Sequence, residues 1–359
     1  MNYAARRQKL INLLLDAKLD ALLLCDLAQI RYFCGFTGSD GVLVVTASTL
    51  CFMSDSRYTT QASEQVCADQ IDEYKIKKTA ILDFLQSQKA TKIGFENGVG
   101  YGFIQEIQTG GDASWQWLAL DEQFNALRLH KDPAELEAIR RATHANSHCF
   151  NAIAPMIRPG VSERDIALEL EFALKRYGAE EKAFDFIVAS GPRGALPHGV
   201  ASEKIIEEGE LVTIDFGCRW EGYHSDETVT LAVGAPSAEL CKIYDTVLLA
   251  HDQAMDAVAP GLPLAELDRV ARDVISAAGY GEYFGHGLGH GVGLEVHEAP
   301  SVSPRSKMTV ELGMVITIEP GIYLPDVGGV RIEDMVLVTP SGAETLTKIP
   351  KAYRNILHN

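Results

Sequence analysis

The chain has 359 residues, 47% hydrophobic and 23% charged, with a formal net charge of −17 at neutral pH, the composition of a globular protein with ample material for a large core. The acidic balance argues against a nucleic-acid partner held through phosphate contacts, and with no run of about 18 apolar residues no membrane-spanning helix is expected. Seven cysteines, at positions 25, 34, 51, 67, 149, 218 and 241, form no C-x-x-C pair; that pattern suits reduced thiols and a cytoplasmic home.

In chain order, residues 1–15 read as an amphipathic helix too short in its apolar part for a signal peptide. Asp20–Cys25, Gly41–Thr46 and Leu50–Ser54 are apolar runs that predict buried strands. Ile30–Gly41, rich in glycine towards its end, is read as a turn region. It contains no G-x-G-x-x-G, so it offers no nucleotide site. Tyr32, Phe33 and Phe36 within it are assigned to the core. Residues 1–125 are thus expected to form a small α/β domain, with a boundary near Leu129–Pro133 and a second domain over 126–359. Asp132 can cap a helix that has Pro133 at its first position, and a second helix is expected over Ser162–Tyr177. Strands follow at Phe184–Ala189, Val212–Gly217 and His224–Val233. Helices return at Ala238–Val258 and Leu264–Ala278, before a strand-rich, glycine-rich end from Gly285.

The order of two helices then paired strands therefore occurs twice, and one stretch repeats outright. Residues 209–217 read GELVTIDFG and residues 313–321 read GMVITIEPG. In each, β-branched residues build a short strand that ends in one carboxylate and a glycine. A buried carboxylate without a partner costs several kcal/mol or stays protonated. Two such strands in an internal repeat predict two similar halves facing one another.

Asp215 is followed by Asp226 and Glu319 by Glu333, each pair spaced for an outgoing and a returning strand. Alternation puts Asp226, Thr228 and Thr230 on one face, with Val229 and Leu231 on the other. Arg331 shares a face with Glu333 and is placed to orient the acids. Four acids from two hairpins would repel one another without a cation. His286 and His290 lie in G-H-G-L-G-H-G-V-G, a backbone too rich in glycine for the helical H-E-x-x-H zinc motif. His297 and His198 complete the candidates. Oxygen-rich ligation with one histidine suits a pair of Mn²⁺, Co²⁺ or Zn²⁺ ions. His130, His144, His148, His224, His251 and His358 are read as structural or surface residues.

With these motifs the sequence resembles the creatinase/prolidase/methionine aminopeptidase superfamily, peptidase family M24, and looks closest to its Xaa-Pro peptidases, prolidase and aminopeptidase P. The resemblance implies an α+β fold: a pita-bread catalytic domain with an internal pseudo-twofold repeat, preceded by a smaller creatinase-like α/β domain. It implies Asp215, Asp226, His290, Glu319 and Glu333 as ligands of two divalent metal ions, with manganese foremost. It further implies His198, His286 and His297 on the substrate side and Arg331 behind the ligands. The implied reaction is attack of a metal-bridging hydroxide on the bond between an N-terminal residue and proline, with Glu319 as the proton carrier and His297 beside the oxyanion. Short peptides with proline second are the implied substrates, and a homodimer the implied assembly. Where many prolidases have an arginine after His-Glu-x-Pro, this chain has Ser301, with Arg305 nearby but out of register; dipeptidase and aminopeptidase versions both stay open. The rival readings are a creatinase-type C–N hydrolase working without metal and a non-catalytic peptide-binding protein on the same fold.

Overall fold

The computed structural model describes residues 1–120, 122–353 and 355–356, and the chain divides into two compact units, Met1–Leu127 and Arg128–Asn359. His358 lies outside the described residues.

The first unit is built on a six-stranded mixed sheet in the order Gln70–Glu73, Leu50–Ser54, Val42–Thr46, Ala21–Leu24, Lys92–Glu96, Gln116–Leu120. The three central apolar runs expected from the sequence are buried along their whole length. Both of their faces are covered, which is why they read as continuous rather than alternating. One expectation is corrected. The first part of the supposed turn region, Ile30–Cys34, belongs to a helix, Leu27–Cys34, capped by the Asp26 side chain, which accepts from the Gln29 amide; Gly35 in the left-handed region (φ 88°) ends it. The glycines mark where this helix stops, and only the residues beyond it turn. Tyr32, Phe33 and Phe36 are core residues as read, each at most 1% exposed.

The second unit consists of two similar halves. In the first, helices Pro133–Ile153 and Glu163–Tyr177 pack on a sheet of Ile187–Ser190, Glu210–Phe216 and Glu227–Val233. In the second, helices Ala238–Ala257 and Leu264–Ala277 pack on a five-stranded sheet. Its order is Glu298–Val302, Gly289–Gly291, Val315–Ile318, Asp334–Thr339, Gly342–Thr345. Asp132 and Glu135 form a reciprocal capping box at the head of the first helix, with Pro133 where a missing N–H costs nothing. Each helix is held by a stripe: Leu264, Leu267, Ala271 and Ile275 are all fully buried, and each large side chain in such a stripe contributes about 1.5–3 kcal/mol.

The repeat sets one pair of acids on paired antiparallel strands in each half, with a register that differs by two residues. Asp215 stands opposite Thr228 in one antiparallel pair, and Ile318, just before Glu319, stands opposite Asp334 in the other. The two hairpins meet edge to edge. Thr228 Oγ1 donates to Glu333 at 2.6 Å, the Glu333 amide donates to the Thr228 carbonyl at 3.1 Å, and Thr230 Oγ1 donates to the Arg331 carbonyl at 2.8 Å. Thr228 and Thr230 thus face the second half, while Val229 and Leu231 enter the first half's core.

Candidate metal centre

All nine side chains singled out from the sequence line one cavity of about 960 Å³: His198, Asp215, Asp226, His286, His290, His297, Glu319, Arg331 and Glu333. The four acids and His290 form its floor. Ligand atoms of Asp215, Asp226 and Glu333 lie within 4.8 Å of one another, as do those of His290, Glu319 and Glu333, and those of Asp226, His290 and His297. Glu333 thereby belongs to two of these groups and joins the acids of both hairpins.

The local sequence explains how His290 gets there. It sits in the short strand Gly289–Gly291, wedged between neighbours on both sides. A Cβ at Gly289 would stand 2.0 Å from the Thr317 carbonyl oxygen, and one at Gly291 would stand 2.2 Å from that of Ala299. Only glycine fits on either side of the imidazole. His290 Nδ1 lies 3.1 Å from the Gly291 carbonyl oxygen, to which it can only donate. That contact turns Nε2 towards the acids, 3.2 Å from Glu319 Oε1 and 3.6 Å from Asp226 Oδ2.

Arg331 fixes the opposite wall. Its Nη2 donates to Asp215 Oδ2 at 2.6 Å, Nη1 to the Tyr323 hydroxyl at 2.9 Å and to the Pro197 carbonyl at 3.1 Å, and Nε to Thr228 Oγ1 at 3.2 Å. Tyr323 in turn lies 2.9 Å from His286 Nε2, so the phenol links Arg331 to the imidazole. Tyr323 was not singled out from the sequence, and Thr228 was read only as sharing a face with Asp226. Their partners lie across the interface between the halves, and no local pattern names those partners.

The electrostatics follow from crowding. Burial, and then the charges of Glu333, Asp215 and Glu319, push the Asp226 carboxyl well above its usual range. Burial, then Glu319 and Asp215, do the same to Glu333. For Glu319 burial works in the same direction, but the hydrogen bond and charge of His290 outweigh it and hold this carboxyl down at about 2. Burial depresses the imidazoles of His286 and His297, and in His297 the neighbouring His290 adds to it. One oxygen of the set, Asp215 Oδ1, is buried with no hydrogen-bond partner. Four carboxylates at this spacing, one with an orphaned oxygen, and the imidazole of His290, with that of His297 at its side, make a hard, oxygen-rich donor set. It fits a pair of divalent cations and does not fit a thiolate-type zinc site.

Comparison with known proteins finds matches over both units. The Metallopeptidase family M24 profile matches residues 137–340, and the Creatinase/Prolidase N-terminal domain profile matches residues 6–130. The chain is 43% identical over 349 residues to the uncharacterized peptidase YqhT of Bacillus subtilis, covering 96% of this chain and 98% of that protein. Among solved structures, the Xaa-Pro dipeptidase from Bacillus anthracis superposes with a TM-score of 0.96 at 40% identity, covering 99% of this chain and 100% of that one. The X-Pro aminopeptidase from Thermotoga maritima superposes with a TM-score of 0.89 at 36% identity, covering 97% and 99%.

Proposed function

We propose that this chain, which belongs to metallopeptidase family M24, hydrolyses the peptide bond between an N-terminal residue and a following proline. Two divalent metal ions, manganese first among them, would be held by Asp215, Asp226, His290, Glu319 and Glu333. The observation that carries this reading is the convergence of four carboxylates and the His290 Nε2 edge at mutual distances within 4.8 Å in the groups that share them. When bound, such ions acidify a water enough to make it a nucleophile near neutral pH and polarise the scissile carbonyl.

The protein's own groups supply the rest. Glu319, at the end of its strand and facing the cavity, takes the proton of the attacking water and passes it to the leaving imino nitrogen. The exposed His297, beside His290 with ring centroids 4.2 Å apart, stands where the carbonyl oxygen gains charge. His286, fixed by Tyr323, and His198, which also lines the cavity, hold the substrate. The amide before proline has no N–H, so recognition must come from shape: Phe184, Ile187, Pro197, Val200, Tyr283 and Pro325 give the cavity apolar walls for a pyrrolidine ring. The dipeptidase and aminopeptidase versions differ at the far end of the substrate. Ser301 and Arg305 both line the cavity, and Arg305 is the cation there that Arg331, locked to Asp215, cannot replace. This favours an anchored C-terminal carboxylate and hence dipeptides. A homodimer remains part of the proposal and is checked by light scattering.

The test is hydrolysis of Ala-Pro and Ala-Pro-Ala-Ala by metal-stripped protein supplied separately with Mn²⁺, Co²⁺ or Zn²⁺, beside Glu319→Gln. Turnover that needs metal, with kcat about 10²–10⁴-fold lower in the variant, is expected. Absence of cleavage with every metal would sink the peptidase reading. Cleavage of the tetrapeptide alone would overturn the dipeptidase version and leave an aminopeptidase.

A further inference from the structure

Glu163 is a heavily engaged carboxylate outside the cluster, and the chemistry above makes no use of it. Its side chain is 0% exposed. Oε1 accepts from the Ser190 amide at 2.7 Å and the Ser190 hydroxyl at 2.9 Å. Oε2 accepts from the Ser202 amide at 3.1 Å and the Ser202 hydroxyl at 2.7 Å, and it pairs with the Arg193 guanidinium. Glu163 is also the first residue of its helix, after the Ser162 cap, where a negative charge is favoured. A carboxylate buried this deeply persists only when every lone pair is used, and here all five donors come from one stretch of chain.

That stretch is the loop carrying His198. Ser190 ends the strand before it and Ser202 follows it, so the two oxygens of Glu163 tie its two ends together. Arg193, within the loop, adds a cross-brace by donating to the Val200 carbonyl at 2.8 Å. On its other side the loop rests on the hairpin that carries Arg331. Pro197 accepts from Arg331 at 3.1 Å, and the backbones touch so closely that a Cβ at Gly329 would stand 2.1 Å from the Gly194 oxygen. Among the described residues, the exposed His198 side chain takes part in none of the hydrogen bonds that hold this loop, so its place over the cavity is set by its backbone.

We propose that Glu163 is a positioning residue: by clamping Ser190 and Ser202 it fixes the loop that presents His198 to the substrate. The kinetic part of this proposal rests on the peptidase reading; the structural part does not. In Glu163→Gln one oxygen becomes an NH₂ group that faces donors, and Arg193 loses its counter-charge, so one end of the loop is released. His198 then spends less of its time in the binding position. If it serves substrate and transition state alike, the loss falls on KM.

The experiment measures Glu163→Gln, His198→Ala and the double variant with metal-loaded protein on Ala-Pro. Amide hydrogen exchange over residues 190–202 and the affinity for Mn²⁺ are followed alongside. Glu163→Gln is expected to raise KM about tenfold with kcat within about threefold and to speed exchange in the loop, with Mn²⁺ affinity unchanged. In the His198→Ala background it should have no further effect on kcat/KM, because the two act through one group. Effects that multiply in the double variant, or exchange that stays at the wild-type rate, would overturn the proposal. If Glu163→Gln fails to fold, Ser202→Ala removes one donor and should give a smaller change in the same direction. A wild-type protein that cleaves no Xaa-Pro bond sinks the peptidase reading, while the exchange measurement still decides the clamp.

Discussion

Arg331 and Asp215 come from opposite halves of the second unit, and the guanidinium Nη2 donates to Asp215 Oδ2 at 2.6 Å while Oδ1 is left for another partner. This single bond sets which oxygen of Asp215 faces the other acids. Arg331→Lys keeps the charge but loses the fork that also reaches Tyr323, Pro197 and Thr228. Metal affinity or activity is expected to fall about 10–100-fold. Arg331→Met, which leaves Asp215 buried without its cation, should in addition cost about 3–5 kcal/mol of stability. Calorimetric metal titration and denaturant unfolding of both variants check this.

Crowding of Asp226 and Glu333 leads to a second expectation. Each is pushed towards its protonated form by burial and by the other acids, so a divalent cation relieves the folded state of that repulsion. Mn²⁺ at about 100 times its dissociation constant should stabilise the protein by about 2.7 kcal/mol, seen as a rise in Tm. Glu333→Gln, which touches both ligand groups, should abolish the rise. A Tm indifferent to every divalent metal would contradict the assignment of the donor set.

Arg305 separates the two substrate versions. If it grips a C-terminal carboxylate, Arg305→Ala should lower kcat/KM for Ala-Pro about 10–100-fold, the range set by loss of a charge-assisted bond of about 1.5–3 kcal/mol. Cleavage of Ala-Pro-Ala-Ala should change little. Equal losses on both substrates would assign Arg305 no part in reading substrate length.

A pH effect on stability is expected from His251. His251 is buried, with Nδ1 3.1 Å from Asp252 Oδ1 and Nε2 3.2 Å from Asp334 Oδ2, while Lys351 sits 3.4 Å from the other Asp334 oxygen. Burial works against the charged imidazole, but the two carboxylates outweigh it and raise its pKa above the usual 6.5. The folded state therefore holds this proton more tightly than the unfolded chain. Its contribution is fully present below pH 6.5 and is lost as pH rises through the raised folded value. Stability measured by denaturant should decline over that window, and His251→Gln should flatten the decline.

The Asp132 cap, the buried strands of the first unit and the paired acid strands were all readable because each rests on a local pattern: an apolar run, a spacing, a cap. Ile30–Cys34, the larger part of the helix Leu27–Cys34, was misread for the complementary reason. Its glycines lie beyond its end, and their turn character masks a helix defined by an Asp26 cap and a buried face. Strands and helices between residues 66 and 120 went unassigned, since their faces are partly exposed and their pattern is weak.

The candidate site divides along the same line. Which acids and imidazoles could gather was decided by the sequence, through the repeated GELVTIDFG and GMVITIEPG stretches and the glycines flanking His290. What each of them touches was decided only by the tertiary structure. Thr228 meets Glu333 across 105 positions, Arg331 meets Asp215 across 116, and Glu163 reaches Ser202 across 39. Hydrogen bonds have no sequence periodicity when their partners lie on different elements. Burial is what turns them from optional contacts into required ones, because a polar group removed from water must find a partner.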